Sequence, residues 1–451
     1  MSDRAHFTAP VLRRPAVLQR PAALLLLAAA SALVATQAGA QAPVPAAALW
    51  WLGGANLQRV NFTPKPGGLT APHVAWRLAF ETTASPASVS PPAAADLDGD
   101  GRVELVYGEG VRVVALEPPF PRRRWEYSVY EIRGLILMQP AVLDVDGDRR
   151  PEVFFAPYQS GGNSMFFRLT SRGQVVWSFP VRAYTSYASP AVADLDGTGR
   201  YTVIFADTQG TVYALDAATG RPRWTFPMGG SADMNAAAVV DLDGDGRREI
   251  VIGNHGNGQI YALDSEGRHR WVYNTHGSIY GVSVDDADGN GELEIYAADW
   301  NGAVHSLTPH GRLRWTYRTP GPVTAYNGLA IADLNGDGVK EVVFGVQNGW
   351  VVALSPAGRV VWQFQRRGHI SGSVIVADFD RDGQLEVFAG SHSGAVYLLA
   401  GRTGAPKWEQ QPGGRMAYMG ITAEDLDGDG LVEVLINNDE HLYAFSRPPA
   451  R

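Results

Sequence analysis

From residue 235 to 274 the chain reads NAAAVVDLDGDGRREIVIGNHGNGQIYALDSEGRHRWVYN, short apolar runs separated by polar turns. Runs this short, rich in Val, Ile and Tyr and bounded by Asp, Gly and Asn clusters, are strands of a meander rather than faces of helices. The pattern predicts strand A over 236–242, an acidic loop, strand B over 249–253, and a Gly/Asn hairpin over 254–258. Strand C follows over 260–263, then a turn at 265–267 and strand D, opened by Trp271.

Units of this kind recur eight times. Each contains an acidic loop of the form D-x-[DN]-x-[DNT]-[GR]-x-x-[ET], opening at Asp96, Asp144, Asp194, Asp241, Asp286, Asp333, Asp378 and Asp425, at intervals of 45 to 50 residues. A fixed period on this scale marks a repeat architecture, and four antiparallel strands per unit describe a β-propeller blade. Trp76, Trp125, Trp177, Trp224, Trp271, Trp315, Trp362 and Trp408 open D strands on the same period. The last unit ends over 442–445 with no D strand, whereas the first D-type run, 74–80, has no A, B or C strand before it. Docking that run on the C-terminal unit would complete an eighth blade and remove the edges an open array exposes. The predicted fold is therefore all-β: an eight-bladed β-propeller of four-stranded antiparallel blades over 76–451, preceded by a linker or docking segment over 41–75. Small residues three positions before the loops, such as Ala141, Ala191, Ala238, Ser283, Ala330 and Thr422, suit strand A to the crowded centre. A right-handed β-helix would need shorter coils and leaves the complementary ends unexplained.

Composition adds a destination and a charge problem. Arg13, Arg14 and Arg20 precede an apolar stretch over 22–34 and the small-residue site Ala38-Gly39-Ala40, the pattern of a signal peptide over 1–40. That stretch is too short for a transmembrane span, and no later run is long enough. A secreted or periplasmic protein is expected, and the Ala-, Arg- and Gly-rich composition favours a bacterial source. The sequon Asn61-Phe62-Thr63 matters only in a eukaryotic secretory pathway. With no cysteine, disulfides and thiol chemistry are excluded. The formal charge of −8 becomes −11 without the first 40 residues, and 28 of the 45 remaining acids occupy the first, third, fifth and ninth loop positions. An acidic chain without a basic run is a poor nucleic-acid binder, and a closed monomeric propeller is expected.

The loop chemistry points to calcium, which takes roughly six to eight oxygen ligands and suits short carboxylates on alternate residues with Gly easing the turn. Four loops carry the full set: Asp96, Asp98, Asp100 and Glu104; Asp241, Asp243, Asp245 and Glu249; Asp378, Asp380, Asp382 and Glu386; and Asp425, Asp427, Asp429 and Glu433. Two exchange one acid for Asn, namely Asp286, Asp288, Asn290 and Glu294, and Asp333, Asn335, Asp337 and Glu341. The loop of Asp144, Asp146, Asp148 and Glu152 keeps every acid but puts Arg149 where Gly is expected, at a cost in turn geometry. Asp194 and Asp196 are followed by Thr198 and Thr202, so that loop is expected to be weak or empty. About seven Ca2+ sites result, enough to bring the charge from −11 to about +3. An acid at position nine between strands does not fit an EF-hand. Hydrated Asp/Gly turns are the bland alternative, but uncompensated carboxylates this close would repel one another.

The loops and the runs after them, such as EIVIG over 249–253 and EVVFG over 341–345, resemble the FG-GAP repeats of integrin α-subunit propellers and the related bacterial VCBS repeats, over about 76–447. The stretch ALDAATGRPRW over 214–224 also resembles the tryptophan-docking motif of pyrroloquinoline-quinone-type propellers. The resemblance implies a calcium-stabilised propeller acting in adhesion or recognition, with a glycan or protein ligand. It also raises two enzyme classes, a polysaccharide lyase or other carbohydrate-active enzyme on a calcium propeller, and a quinoprotein dehydrogenase. The vicinal disulfide common beneath the quinone of such dehydrogenases is impossible without cysteine. No catalytic base, nucleophile elbow, phosphate loop or HExxH stands out, so no catalytic residue is assigned.

Because strand direction alternates, A-to-B loops and C-to-D turns share one face, while B-to-C hairpins and D-to-A connections share the other. The second face gathers aromatic residues beside amides, with Tyr187, Tyr280, Trp300, Tyr326, Trp350 and His392 as candidate ligand contacts. Aromatic anchors with polar neighbours suit a glycan or peptide surface. Half-buried turn aromatics are the alternative.

Overall fold

The computed structural model describes residues 56, 58, 61–71, 73–81, 89–118, 120–130, 134–158, 164–185, 188–232, 235–323, 325, 328–370, 374–414, 420–438 and 440–447. All belong to the unit spanning 43–451. The expected signal peptide at 1–40 lies outside the described residues, and no helix among them is long and apolar enough to cross a membrane.

The described strands form eight four-stranded antiparallel sheets, the eight blades of a β-propeller. Numbered by their acidic loops, blade 1 carries Asp96 and blade 8 carries Asp425. In blade 4 the strands are Ala238–Val240, Glu249–Gly253, Gln259–Leu263 and His269–Asn274. Strand A is thus shorter than its apolar run, and strand D opens two residues before Trp271. Ala141, Ala191, Ala238, Ser283, Ala330 and Thr422 are all fully buried, as the innermost position demands.

Seven blades repeat one irregularity. The residue paired with the D-strand Trp, as in Ala262↔Trp271 or Ala353↔Trp362, is followed by a register shift between strands C and D. A bulge re-aims the bulged strand's side chains. Six indoles reach the next blade and the seventh, Trp408, a segment outside the strands: the Trp125, Trp177, Trp224, Trp271, Trp315, Trp362 and Trp408 Nε1–H groups donate to backbone carbonyls at 2.5 to 3.2 Å. The ring lies over a turn glycine, and a Cβ at Gly311 would stand 2.6 Å from the Trp271 ring. Each contact combines aromatic burial with a satisfied indole N–H, so truncating such a Trp costs about 3–5 kcal/mol.

Val74–Ala79 pairs antiparallel with His441–Phe445, placing Trp76 opposite Ala444, so the two chain ends share blade 8. That blade has no continuous C-to-D turn for Trp408 to meet. Leu69 supplies the carbonyl instead. It belongs to a segment fastened along the inner strands: Val284 N–H donates to Gln58 O, Asn61 Nδ2 to Gly328 O, Thr63 N–H to Val376 O and Gly67 N–H to Asp378 O. Over the described part of 41–75 these hydrogen bonds hold the segment against the inner strands. Asn61 is 2% exposed, so the sequon is closed to a glycan.

Candidate functional site: acidic loops and an aromatic face

In each acidic loop the first carboxylate organises the turn. Asp241 Oδ1 accepts N–H groups from Gly244 and Asp245, and Oδ2 accepts from Gly246. Gly244 and Gly246 hold φ of 76° and 86°, which an L side chain resists; Arg149 nevertheless sits at 67°. The fifth-position oxygen takes the N–H of residue seven, as Asp245 does from Arg247 at 2.8 Å. The ninth-position glutamate turns back and accepts from residue two, with Leu242 N–H on Glu249 Oε2 at 2.8 Å.

The carboxylates that converge are those of positions one, three and nine. Oxygens of Asp96, Asp98 and Glu104 lie within 4.8 Å of one another, as do those of Asp144, Asp146 and Glu152, Asp241, Asp243 and Glu249, Asp286, Asp288 and Glu294, and Asp378, Asp380 and Glu386. Three hard oxygens at this spacing are what a calcium shell is built from. Asp100, Asp148, Asp245, Asn290, Asp337, Asp382 and Asp429 instead engage the loop backbone. In the blade 3 loop, Thr198 donates to Asp196 and Arg223 donates to Thr202 at 2.7 Å.

Sequence reasoning missed the basic residue directly before the docking Trp. Arg270 forks between Asp243 at 2.5 Å and Glu249 at 2.7 Å. Arg314 does the same with Asp288 and Glu294, Lys407 with Asp380, Asp382 and Glu386, and Arg124 reaches Asp98 at 2.7 Å. In blade 2 the position is Val176, and Arg168 from strand C pairs with Asp146 and Glu152. Blade 6 has Val361 there, and among the described residues no base pairs with Asp333, Asp337 or Glu341; Asn335 Nδ2 donates to Glu341 at 3.1 Å, and the loop's own Lys340 pairs outward with Asp285. The signal was legible: a base precedes the Trp in Arg124, Arg223, Arg270, Arg314 and Lys407.

Burial raises the ninth-position glutamates. Glu104, Glu152, Glu341 and Glu386 are pushed up to about 7 and Glu433 to about 8, with Glu249 and Glu294 shifted in the same direction. Desolvation outweighs the backbone N–H each accepts. A cation among these oxygens would favour their ionised form.

On the opposite face blade 5 departs from the repeat. Its strand A, Ile279–Asp285, is seven residues long where the described strand A of other blades has three or four. Tyr280 is buried; Trp300, 40% exposed on the B-to-C turn, stacks on it at 5.2 Å, and His255 Nε2 lies 3.1 Å from its hydroxyl. Trp350 is half-buried against the core, and His392 stacks on His369 at 5.5 Å. Tyr187 and Tyr326 lie outside the described residues. The face thus brings together Tyr280 and Trp300, with His255, and leaves Trp350 and His392 in separate contacts.

Two family models match the chain. The family described as outer membrane protein assembly factor BamB covers residues 167–346, and the FG-GAP-like repeat covers residues 378–436. No curated protein matches in sequence. Solved structures of similar fold include BamB from Moraxella catarrhalis, at 16% identity and TM-score 0.57, covering 84% of this chain and 99% of that chain. The quinohemoprotein alcohol dehydrogenase from Comamonas testosteroni aligns at 13% and 0.63, covering 89% and 82%. The V. cholerae biofilm matrix protein Bap1 aligns at 15% and 0.62, covering 84% and 91%. At these identities the likeness shows the fold alone, and function has to be read from the residues of the sites.

Proposed function

We propose that the chain is an exported, non-catalytic recognition propeller that uses its two faces differently. One rim is a cation-compensated scaffold, with calcium in the acidic loops; the other presents aromatic and amide groups to a glycan or protein ligand. The observation that carries this reading is the division of chemistry: carboxylates converge on one rim, while the repeat-breaking Tyr280 and Trp300 stack on the other. The FG-GAP-like match over the Asp378 and Asp425 loops supports the scaffold half.

Calcium has to displace a guanidinium where a strand-D base already lies between the acids. Affinity is therefore highest where no strand-D base competes, in the blade 6 loop of Asp333, Asp337 and Glu341 and the blade 8 loop of Asp425, Asp427 and Glu433. Each independent site adds about 2.7 kcal/mol of stability at a hundredfold excess over its Kd. Melting with and without a chelator, alongside elemental analysis, tests the scaffold half; an unchanged Tm with no bound calcium rejects it. Glycan-array binding without product formation supports recognition. Unsaturated sugar ends absorbing in the ultraviolet would replace it with lyase activity.

A further inference from the structure

The seam between blades 8 and 1 holds a cleft of about 560 Å3, whose lining combines Ala75, Trp76 and Phe120 with the acids Glu424, Asp427 and Glu433. The Trp76 and Phe120 rings stack at 5.7 Å with 26° between their planes. Glu424 is 1% exposed. Lys65 and the Asp425 N–H engage its Oε1, while Oε2 is buried with no hydrogen-bond partner among the described residues. Such an orphaned carboxylate oxygen is costly unless something else donates to it. The nearby Arg447 is committed to Asp429.

The other blades indicate what belongs beside these acids. Arg270, Arg314 and Lys407, each one residue before a docking Trp, bridge the third- and ninth-position carboxylates of their loops. In blade 8 that residue is Ala75, and Ala75, Asp427 and Glu433 all line the cleft. The repeat has lost its strand-D cation here; Lys65, also in the lining, pairs with Glu424, and among the described residues no base pairs with Asp427 or Glu433. Blade 6 also lacks the base, but there Asn335 replaces the third-position acid and donates to Glu341.

We propose that the seam cleft binds a guanidinium or ammonium group on an aliphatic stem, in the position that Arg270 fills in blade 4. The head pairs with Asp427, Glu433 and the free oxygen of Glu424, and the stem lies along the Trp76–Phe120 stack, whose ring faces also attract a cation. The cleft volume is on the scale of small-molecule pockets, about 300–1,000 Å3, far more than a bare ion needs. The donor is either a free amine or the side chain of an arginine or lysine on a partner. This site is separate from the aromatic face and does not depend on it.

Calorimetric titration of the full chain with agmatine, with Nα-acetyl-arginine methylamide and with the neutral citrulline counterpart, in chelator and then in calcium, tests the assignment. Both cations should bind one site in chelator, at least about tenfold tighter than the citrulline compound. Calcium should weaken them, since Asp427 and Glu433 are shared. Tighter binding of agmatine identifies a free amine as the source, and tighter binding of the methylamide identifies a side chain. Glu424→Gln should cost about tenfold or more. Ala75→Arg, which gives blade 8 its own base, should abolish binding with Tm unchanged or raised. Absence of heat from either cation in chelator, equal binding of the citrulline compound, or binding that survives both substitutions would overturn the proposal. Should Ala75→Arg fail to fold, Glu424→Gln and quenching of Trp76 fluorescence by agmatine carry the test.

Discussion

Blades 4 and 6 carry closely similar acidic loops and balance their charge by different means. In blade 4, Arg270 reaches across from strand D and forks between Asp243 and Glu249. In blade 6, Val361 occupies that place, Asn335 replaces one acid, and Glu341 receives an amide N–H rather than a cation. The difference teaches that metal demand on this rim does not follow from counting carboxylates. A loop with its own guanidinium gives up an ion pair to take calcium; a loop without one gives up only a neutral hydrogen bond.

The largest expected effect involves every blade that keeps the ninth-position glutamate. Their carboxyls titrate near 4.5 in the unfolded chain and are raised in the fold, to about 7 for Glu341 and about 8 for Glu433. A group raised on folding contributes stability below its unfolded pKa and loses it as pH climbs through the folded one. The metal-free protein should therefore lose stability between about pH 4.5 and 8, with Tm falling on the order of 5–10 °C. Calcium should flatten that slope by favouring the ionised form. Chelator melts across this range check it, and a Tm that rises with pH would show that the glutamates are already compensated.

Exchanging the two blades' residues gives the next largest effect. Arg270→Val strands Asp243 and the buried Glu249 and should cost about 2 kcal/mol without metal, discounted from a fully buried pair because Arg270 is partly exposed. Calcium should recover most of the loss. Val361→Arg should do the reverse, raising metal-free stability and lowering the number of bound calcium ions by one. If both variants bind the same number of ions as the parent, strand-D bases do not compete with metal.

On the other face, Trp300→Ala should leave Tm within about 2 °C, because the ring is 40% exposed, yet should weaken any ligand held there. Trp350→Ala should lower Tm more, since that ring packs on the core. Their ligand effects, measured on whatever the glycan array identifies, separate a binding ring from a packing one.

The loops, the docking tryptophans and the shared last blade were legible because each is a local pattern repeated on one period. The base that serves each loop was harder to see. Arg270 lies 27 residues beyond Asp243, and it meets the loop only once strands B, C and D have folded back. Reading Arg124, Arg223, Arg270, Arg314 and Lys407 as a column would have exposed Ala75, Val176 and Val361 as gaps. The mending role of Leu69 was not legible, since a backbone carbonyl carries no sequence signature. The length of blade 5's strand A was hidden as well, because apolar residues continue past strand ends in every unit.

The smallest effect compares blade 2 with blade 4 at position six of the loop. Gly246 holds φ of 86° without strain, while Arg149 is held at 67°, where a Cβ costs about 1–2 kcal/mol. Arg149→Gly relieves that cost but gives the unfolded chain more freedom, which takes back part of the gain. The net should be about 0.5–1 kcal/mol of stabilisation, visible as a small rise in Tm with or without calcium. Arg149 N–H already donates to Asp144 Oδ2 at 2.8 Å, as Gly246 does to Asp241, so the loop's hydrogen bonds survive the exchange. A gain that appears only with calcium present would mean that the arginine obstructs metal entry rather than straining the turn, even though Arg168 still compensates Asp146 and Glu152.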